Sequence, residues 1–475
     1  MNFEAVIGLE IHVEMKTKSK MFSHSLNSYS KQPNTNTTEY DFAFPGTMPT
    51  VNKQAVINAI RVCNALHMRI DHELWFDRKN YFYSDLPKGF QITQQARPIG
   101  SNGYVILDVN DEKVKVNIER LHIEEDTCKQ LHLRDCTLLD YNRAGVPLIE
   151  IVSKPEIKNG TEAMKYVEKI RDIVIYSGVS DGKMEEGSLR CDVNVSIRPC
   201  GSDKFGTKVE IKNLNSTSNI QKAIDYEIKR QSNLLLKGEA IQQETRRYDE
   251  MKKETFLMRV KTDAVDYKYF TEPNIIPILL SDEFIFDAID TCPELYDQKL
   301  IRYTSELNLS KYDAEVILAN IENCKYFEEI IKNTNQYKLA SNWLTVDIQS
   351  YLNKNNESIK DFKISPKDIA ILIEAISSNK ISSKQAKEIF NKTLNENGVI
   401  ADLIKNSSNN LISDEGELLK LINETLDNNP QSIVDFKNGK DRAIGFLVGQ
   451  IMKKTQGKAN PSLTSKLLKQ EIDKR

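Results

Sequence analysis

The sequence predicts an α+β protein in which an antiparallel sheet is built first and helices follow. Three observations carry the prediction. Up to about residue 290 the apolar residues fall in short alternating runs broken by turn residues, as strands require; from about residue 295 their spacing becomes helical; and an Asn- and Ser-rich stretch at 406–410 sets off a basic C-terminal segment. The expected domains are 1–293, 294–405 and 406–475, the last two all-helical.

The first strand is the clearest element. In residues 6–15, strict alternation buries Ile7, Leu9, Ile11 and Val13 and turns Glu10, His12 and Glu14 to the opposite face. An antiparallel strand with one wet face satisfies that pattern by itself. An imidazole flanked by carboxylates is also half of a metal site. Next, Val114, Val116 and Ile118 are apolar in even phase and Leu121 and Ile123 in odd phase, so an extra residue near Arg120 is expected to form a bulge that re-aims Glu124, Glu125 and Asp126. Neighbours on a strand face opposite ways, so Glu124 and Glu125 cannot both be direct ligands unless the backbone kinks there too. Leu148–Val152 offers Glu150 from a buried run. Residues 188–198 set Leu189, Cys191, Val193, Val195 and Ile197 against Arg190, Asp192, Asn194 and Arg198, and 208–212 gathers Lys208, Glu210 and Lys212.

Helices are expected near 52–69, 161–177 and 217–236, the last capped by Asn215-Ser-Thr and stopped at Gly238. Beyond them, 296–308, 311–334, 336–352, 366–378 and 382–397 read as amphipathic helices, with Ser365-Pro366 as a helix start. The Asn-rich stretches 353–358 and 406–410 read as loops.

A sheet face carrying Glu10, His12, Glu124 or Glu125, Glu150, Asp192 and Glu210, with bases between them, suits a magnesium ion and a phosphate chain. Magnesium takes only one or two carboxylates directly, so the other acids must stand behind them or be neutralised by Lys and Arg. Arg246, Arg247, Arg259 and Lys261, with Arg190, are candidates to clamp a nucleotide's phosphates. The GxxxxGK[ST] loop is missing, which excludes that mode of ATP binding. All six histidines precede residue 133, and apart from His12 each is expected in a structural role.

A formal charge of −3 excludes a globally basic nucleic-acid binder, so any such contact must be local. Residues 451–475 hold seven basic side chains against two acids, and Lys453, Lys454, Lys458, Lys466 and Lys469 are candidates for phosphate contacts. A solvated helix face is the alternative. Seven scattered cysteines without a CxxC pair point to reduced thiols. Glu4 and Glu10 stand where a signal peptide would be basic and apolar, so a cytoplasmic protein without membrane or DNA contacts is expected.

Several stretches together resemble a known family. Ile7-Gly-Leu-Glu-Ile-His-Val-Glu14, Tyr83-Ser-Asp-Leu-Pro-Lys-Gly-Phe-Gln-Ile92, Asp140-Tyr-Asn-Arg-Ala-Gly-Val-Pro-Leu-Ile-Glu150, Gly187-Ser-Leu-Arg-Cys-Asp-Val-Asn194, Glu210-Ile-Lys-Asn-Leu-Asn215 and Gln243-Glu-Thr-Arg-Arg-Tyr248 are similar to the GatB family, the B subunits of the bacterial aspartyl/glutamyl-tRNA amidotransferases. Gly445-Phe-Leu-Val-Gly-Gln450 and Gly457-Lys-Ala-Asn-Pro461 resemble that family's helical tail, so the likeness spans nearly the whole chain.

The resemblance implies a cradle similar to glutamine synthetase and guanidino kinases, with ATP and Mg2+ as cofactors. It implies amidation of Glu-tRNA(Gln), Asp-tRNA(Asn) or both through an acyl phosphate, in a heterotrimer with the family's glutaminase and one further small protein. Carried onto this sequence, Glu10, His12, Glu124, Glu125 and Glu150 would be the metal set. Glu10, His12, Glu125, Glu150, Asp192 and Glu210 would be the catalytic set, and Lys79 and Lys88 would lie toward an ammonia channel's entrance. Zinc is not expected: where many relatives have CxC and CxxC, this chain reads Ser23-His-Ser25 and Thr38-Glu-Tyr-Asp41. A stand-alone amine ligase would share the sheet without needing the basic tail, and a non-catalytic tRNA-binding protein would need the tail without the acids.

Overall fold

The computed structural model describes residues 2–260, 266–396, 398–408, 415–437, 442–455, 459 and 461–475. The chain divides into two units, Met1–Tyr296 and Asp297–Arg475, a cut a few residues beyond the expected end of the first domain.

The main sheet of the first unit is formed by β1 (Phe3–Glu14), β2 (Arg69–Ile70), β3 (Gly100–Val109), β4 (Glu112–Glu125), β5 (Pro147–Ser153), β6 (Leu189–Pro199), β7 (Val209–Lys212), β8 (Glu244–Asp249) and β9 (Glu254–Val260). β1 is central. On one side it is followed by β5, β4, β3 and β2, and on the other by β6, β7, β8 and β9. Neighbours are antiparallel except β7 and β8, a departure from the expected all-antiparallel sheet. A parallel pair needs a crossover, and helix α3 (Thr217–Leu236) provides it between these two strands.

Alternation sorts the two faces. Ile7, Leu9, Ile11 and Val13 of β1 and Leu189, Cys191, Val193 and Val195 of β6 are almost completely buried, in one core with side chains of α1 (Lys53–Ala65), α2 (Gly160–Tyr176) and α3. Each fully buried aliphatic side chain there contributes about 1.5–3 kcal/mol. Asn52, Asn159 and Ser216 cap the three helices by accepting from Ala55, Glu162 and Asn219 amides. With the helices on one face, the row Glu10, His12, Glu14 is left on the other.

The bulge is present one residue before Arg120. Val152 of β5 pairs with Arg120 of β4 and Ser153 with Ile118, so Glu119 is the extra residue. On the β3 side Asn102 lies across from the same place, in the left-handed region at φ 52°. Past the bulge, Leu121 and Ile123 return to the core, and the even residues His122 and Glu124 face the acid row.

In the second unit the expected helix 311–334 is two, Lys311–Leu318 and Ile321–Ile331. Asn320, extended at φ −132°, breaks the run and caps the second helix by accepting from Glu322 and Asn323. The helical run from Tyr337 continues through a π turn at Trp343–Ile348 to Asn355, so 353–355 are helical and not loop; Asn356 ends the run in the left-handed conformation at φ 53°. Likewise Ile400–Ser408 takes up the first residues of the stretch 406–410 read as loop, and residues 409 and 410 lie outside the described residues. Helices Glu415–Asp427, Pro430–Lys437, Arg442–Lys454 and Pro461–Lys474 share a core of their own, with Leu418, Ile422, Leu447 and Leu468 at its centre.

One ion cluster in this unit makes a pH-dependent contribution. Burial acts to raise the Glu328 carboxyl, but hydrogen bonds from Lys299, Tyr303 and Arg302 outweigh it and hold it below the ordinary value of 4.5. A depressed carboxylate stabilises above its unfolded pKa, and that contribution is lost as pH falls through the folded value. Glu328→Gln is therefore expected to cost about 1–3 kcal/mol at pH 7 and progressively less as pH falls below 4.5. Denaturant unfolding of variant and parent at several pH values checks it; a pH-independent difference would contradict the charge argument.

Candidate active site

Strand register decides which acids meet. In β1 and its neighbours, His12 is paired with Glu150 of β5 on one side and Arg190 of β6 on the other, and Glu150 is in turn paired with His122 of β4. His12 Nε2 lies 3.6 Å from Glu124 and 3.5 Å from Glu150; His122 Nε2 lies 3.7 Å and 3.0 Å from the same two. His12, Glu124 and Glu150 have donor atoms within 4.8 Å of one another. His12 and Glu124 line a cavity of about 610 Å³, together with Lys79, Arg190, Asp192 and Lys212.

His122, expected in a structural role, is buried in this cluster beside the same two carboxylates. Only the post-bulge phase, applied to every even residue of β4, would have found it. It is buried, and its Nδ1 has no hydrogen-bond partner among the described residues. Burial alone lowers both imidazoles, but Glu150 and Glu124 overcome it, raising His12 and pushing His122 up to about 9. Burial likewise raises Glu150, yet the two histidines hold it well below the ordinary carboxylate range. The donor set of imidazole nitrogen and carboxylate oxygens fits Mg2+ or Mn2+ that keeps several waters, and has no thiolate for a softer ion.

Glu10 lies next along the same face but not in that group. It accepts from Asn194 Nδ2 at 3.0 Å and is paired with Asp192 across β6. Burial, Glu150 and Asp192 all raise its pKa. Lys212 hydrogen-bonds Asp192 and lies 3.5 Å from Glu210, which accepts from Thr245 Oγ1 at 2.7 Å. The face thus carries two acid groups, one balanced by histidines and one by lysine.

The remaining expected residues separate. Glu125 faces away from Glu124, as alternation requires: its carboxylate is bonded by Lys88 and by the Ile92 amide at 3.0 Å, in a smaller pocket with Tyr40. The structure does not bring it to the His12 cluster. Lys79 lines the main cavity, its ammonium 4.8 Å from the Tyr267 ring. Arg190 bonds Asp126 at 2.7 Å at the cavity wall. Arg246 departs from its expected nucleotide role, because alternation in β8 turns it toward α3, where it bonds Glu244 at 2.9 Å and Thr255 at 2.8 Å beside the fully buried Glu227. Arg247 and Arg259 are exposed. Lys261 and Lys458 lie outside the described residues; Lys453, Lys466 and Lys469 are exposed on the last two helices, and Lys454 is paired with Glu424.

The stretches Ser23-His-Ser25 and Thr38-Glu-Tyr-Asp41 come together here. Ser23 and Ser25 donate to Asp41, Thr38 accepts from Ser25 at 3.3 Å, and the Thr38 amide donates to Asp41 at 2.8 Å. Lys20, with no exposed surface, lies 3.6 Å from Asp41 and donates to the Tyr141 carbonyl at 3.1 Å. His24 is exposed.

The sheet with helices on one face and histidine-bracketed carboxylates on the other falls in a known class: residues 5–286 match the GatB/GatE catalytic domain and residues 325–472 match the GatB domain. Proteins described as the B subunit of aspartyl/glutamyl-tRNA(Asn/Gln) amidotransferase, from Bacillus cereus, Bacillus mycoides and Geobacillus thermodenitrificans, are each 50% identical to this chain, over the whole of both chains. The chain belongs to that family of amidotransferase B subunits. Among the described residues no helix is long and apolar enough to cross a membrane.

Proposed function

We propose that this chain carries the ATP-dependent amidation of Glu-tRNA(Gln), Asp-tRNA(Asn) or both, using ammonia delivered by a glutaminase partner in a complex with a third, small protein. The observation that carries the proposal is the row of acids on one sheet face, bracketed by His12 and His122 and balanced by Lys212, of which His12, Glu124, Asp192 and Lys212 line an open cavity. His12, Glu124 and Glu150 would hold magnesium, which when bound lowers the charge cost of phosphoryl transfer.

The carboxylate of the tRNA-linked side chain attacks the γ-phosphorus, the β–γ bridge breaks and ADP leaves. Ammonia then attacks the acyl carbon, the carbon–oxygen bond to phosphate breaks, and nitrogen gives up a proton to leave the amide. Lys79 and Arg190 at the cavity wall keep positive charge beside the incoming phosphates. The Lys88–Glu125 pair stands apart from the chemistry, in the smaller pocket, where a carboxylate can take the proton of arriving ammonium.

The test is amidation of each mischarged tRNA by the purified complex. ATP, magnesium and tRNA should all be required, and ATP cleavage should depend on tRNA. Amide formation without ATP would remove the acyl phosphate. In the same assay Lys88→Ala should reduce glutamine-dependent amidation several-fold more than ammonium-dependent amidation; equal losses would move Lys88 into the site or the fold.

A further inference from the structure

Aromatic side chains gather at one rim of the main cavity. The strand Asp77–Asn80 pairs with Phe270–Thr271, and Asn80 ties the two segments further: its amide donates to the Tyr267 carbonyl at 2.9 Å and its side chain to the Lys268 carbonyl at 2.7 Å. Both oxygens of Glu272 hold Arg78, whose guanidinium lies 3.9 Å from the centre of the Phe90 ring, so the pairing is braced.

The result is a continuous row of tyrosines. Tyr83 meets Tyr81, Tyr81 meets Tyr267 and Tyr267 meets Tyr269, with ring centres 6.0, 5.7 and 6.1 Å apart and each pair edge to face. Tyr81 anchors the row: it lines the cavity together with His12 and Glu124, and its hydroxyl donates to Gln91 Oε1 at 3.2 Å. The Lys79 ammonium lies 5.6 Å from the centre of the Tyr81 ring and 4.8 Å from that of Tyr267. Burial raises the Tyr269 phenol, with the charges of Lys79 and Arg120 opposing, so the far end of the row also has cations beside it.

Toward solvent the rings are uncovered. Tyr269 is 39% exposed, Tyr83 58%, and Phe82, between Tyr81 and Tyr83 in sequence, 97%. A lone exposed ring is ordinary, whereas a group of them beside a reaction cavity marks a binding surface. Open rings next to lysine suit an unpaired nucleic-acid strand: every base has a face to stack, and the cation meets the phosphates. In a duplex those faces are hidden.

Resting on the tRNA-dependent reading above, we propose that this row is the platform for the unpaired 3′ end of the tRNA. The amino acid is esterified to the last ribose of that end, so the terminal bases must lie at the mouth of the cavity that receives the side-chain carboxylate. The bases stack on Phe82, Tyr83 and Tyr269, the backbone passes Lys79, and the ester turns inward beside Tyr81 toward His12 and Glu124. Stacking does not read base identity, so one platform serves tRNA(Gln) and tRNA(Asn) alike.

Equilibrium binding of the intact complex to two RNAs tests this, a full-length tRNA and the same tRNA trimmed of its unpaired 3′ nucleotides. Trimming should weaken binding to the parent about tenfold or more. In the double variant Phe82→Ala, Tyr269→Ala, full-length tRNA should fall to within about twofold of the trimmed one, whose own affinity should stay within about twofold of the parent's. Both positions are exposed, and the pair Phe82→Tyr, Tyr269→Phe, which keeps the rings, should bind as the parent does. A trimming effect as large in the alanine variant as in the parent, equal weakening of both RNAs, or a parent indifferent to trimming overturns the platform. So does loss of the partner proteins from the purified alanine variant, which would make the rings a protein interface. The amidation reading fails separately, in a parent complex that forms no amide on either mischarged tRNA.

Discussion

Replacing His12 by alanine is expected to abolish amide formation, by about a thousandfold or more, whether glutamine or an ammonium salt supplies the nitrogen. His12 is the one residue paired through the sheet with both Glu150 and Arg190, and its Nε2 faces the two carboxylates of the histidine-balanced acid group. Losing a metal ligand withdraws several kcal/mol of charge stabilisation from phosphoryl transfer, and each 1.36 kcal/mol is tenfold in rate. His122→Asn should give a similar but smaller loss, since His122 supports the same carboxylates from the buried side. Ammonium-dependent rates near the parent's in His12→Ala would refute the metal assignment.

The second large effect is expected in tRNA binding. Lys454, Lys474 and Arg475 are engaged with Glu424, Glu471 and Asp427, which leaves Lys453, Lys466 and Lys469 as the exposed candidates for phosphate contact among the described residues. Replacing these three lysines by alanine should weaken tRNA by about tenfold or more at low salt and make the salt dependence shallower. Each lost phosphate contact removes about 0.9 from the slope of log affinity against log salt for a duplex, or about 0.7 for a single strand. Binding curves at two salt concentrations decide it. Equal affinity and equal slope would make the tail a solvated face, with the tRNA held elsewhere.

Much of this site could be read from period-two patterns. β1 and β6 have the predicted buried residues, because alternation in a half-buried strand leaves little freedom of register. The bulge fell at Glu119, beside the predicted Arg120, since a phase change in apolar residues has no other economical explanation in a strand. The same rule separated Glu124 from Glu125, and carried two residues back from Glu124 it would have placed His122 on the same face. Arg246 was misread for a related reason. It lies among basic residues in sequence, but the alternation of β8 sends it behind the sheet toward Glu227, and only the packing of α3 reveals that buried partner. The parallel pairing of β7 and β8 was also hidden, because pairing direction leaves no mark on the spacing of apolar residues. In the second unit Asn320 and the asparagines at 353–356 carried opposite meanings, one starting a helix and the others finishing one, because Asn suits both an N-cap and a left-handed helix end and its presence alone does not say which.

The knot at Ser23, Ser25, Thr38 and Asp41 bears on how such experiments are interpreted. A loop fastened by thiolates and an ion comes undone under peroxide or a chelator, and activity then fails for reasons unrelated to the reaction. Here the fastening is made of hydroxyls and a carboxylate anchored by Lys20, groups that neither reagent attacks. Titrating the complex with a chelator should therefore report on the cation requirement of the cradle itself, and readdition of magnesium should restore the starting rate with no refolding lag.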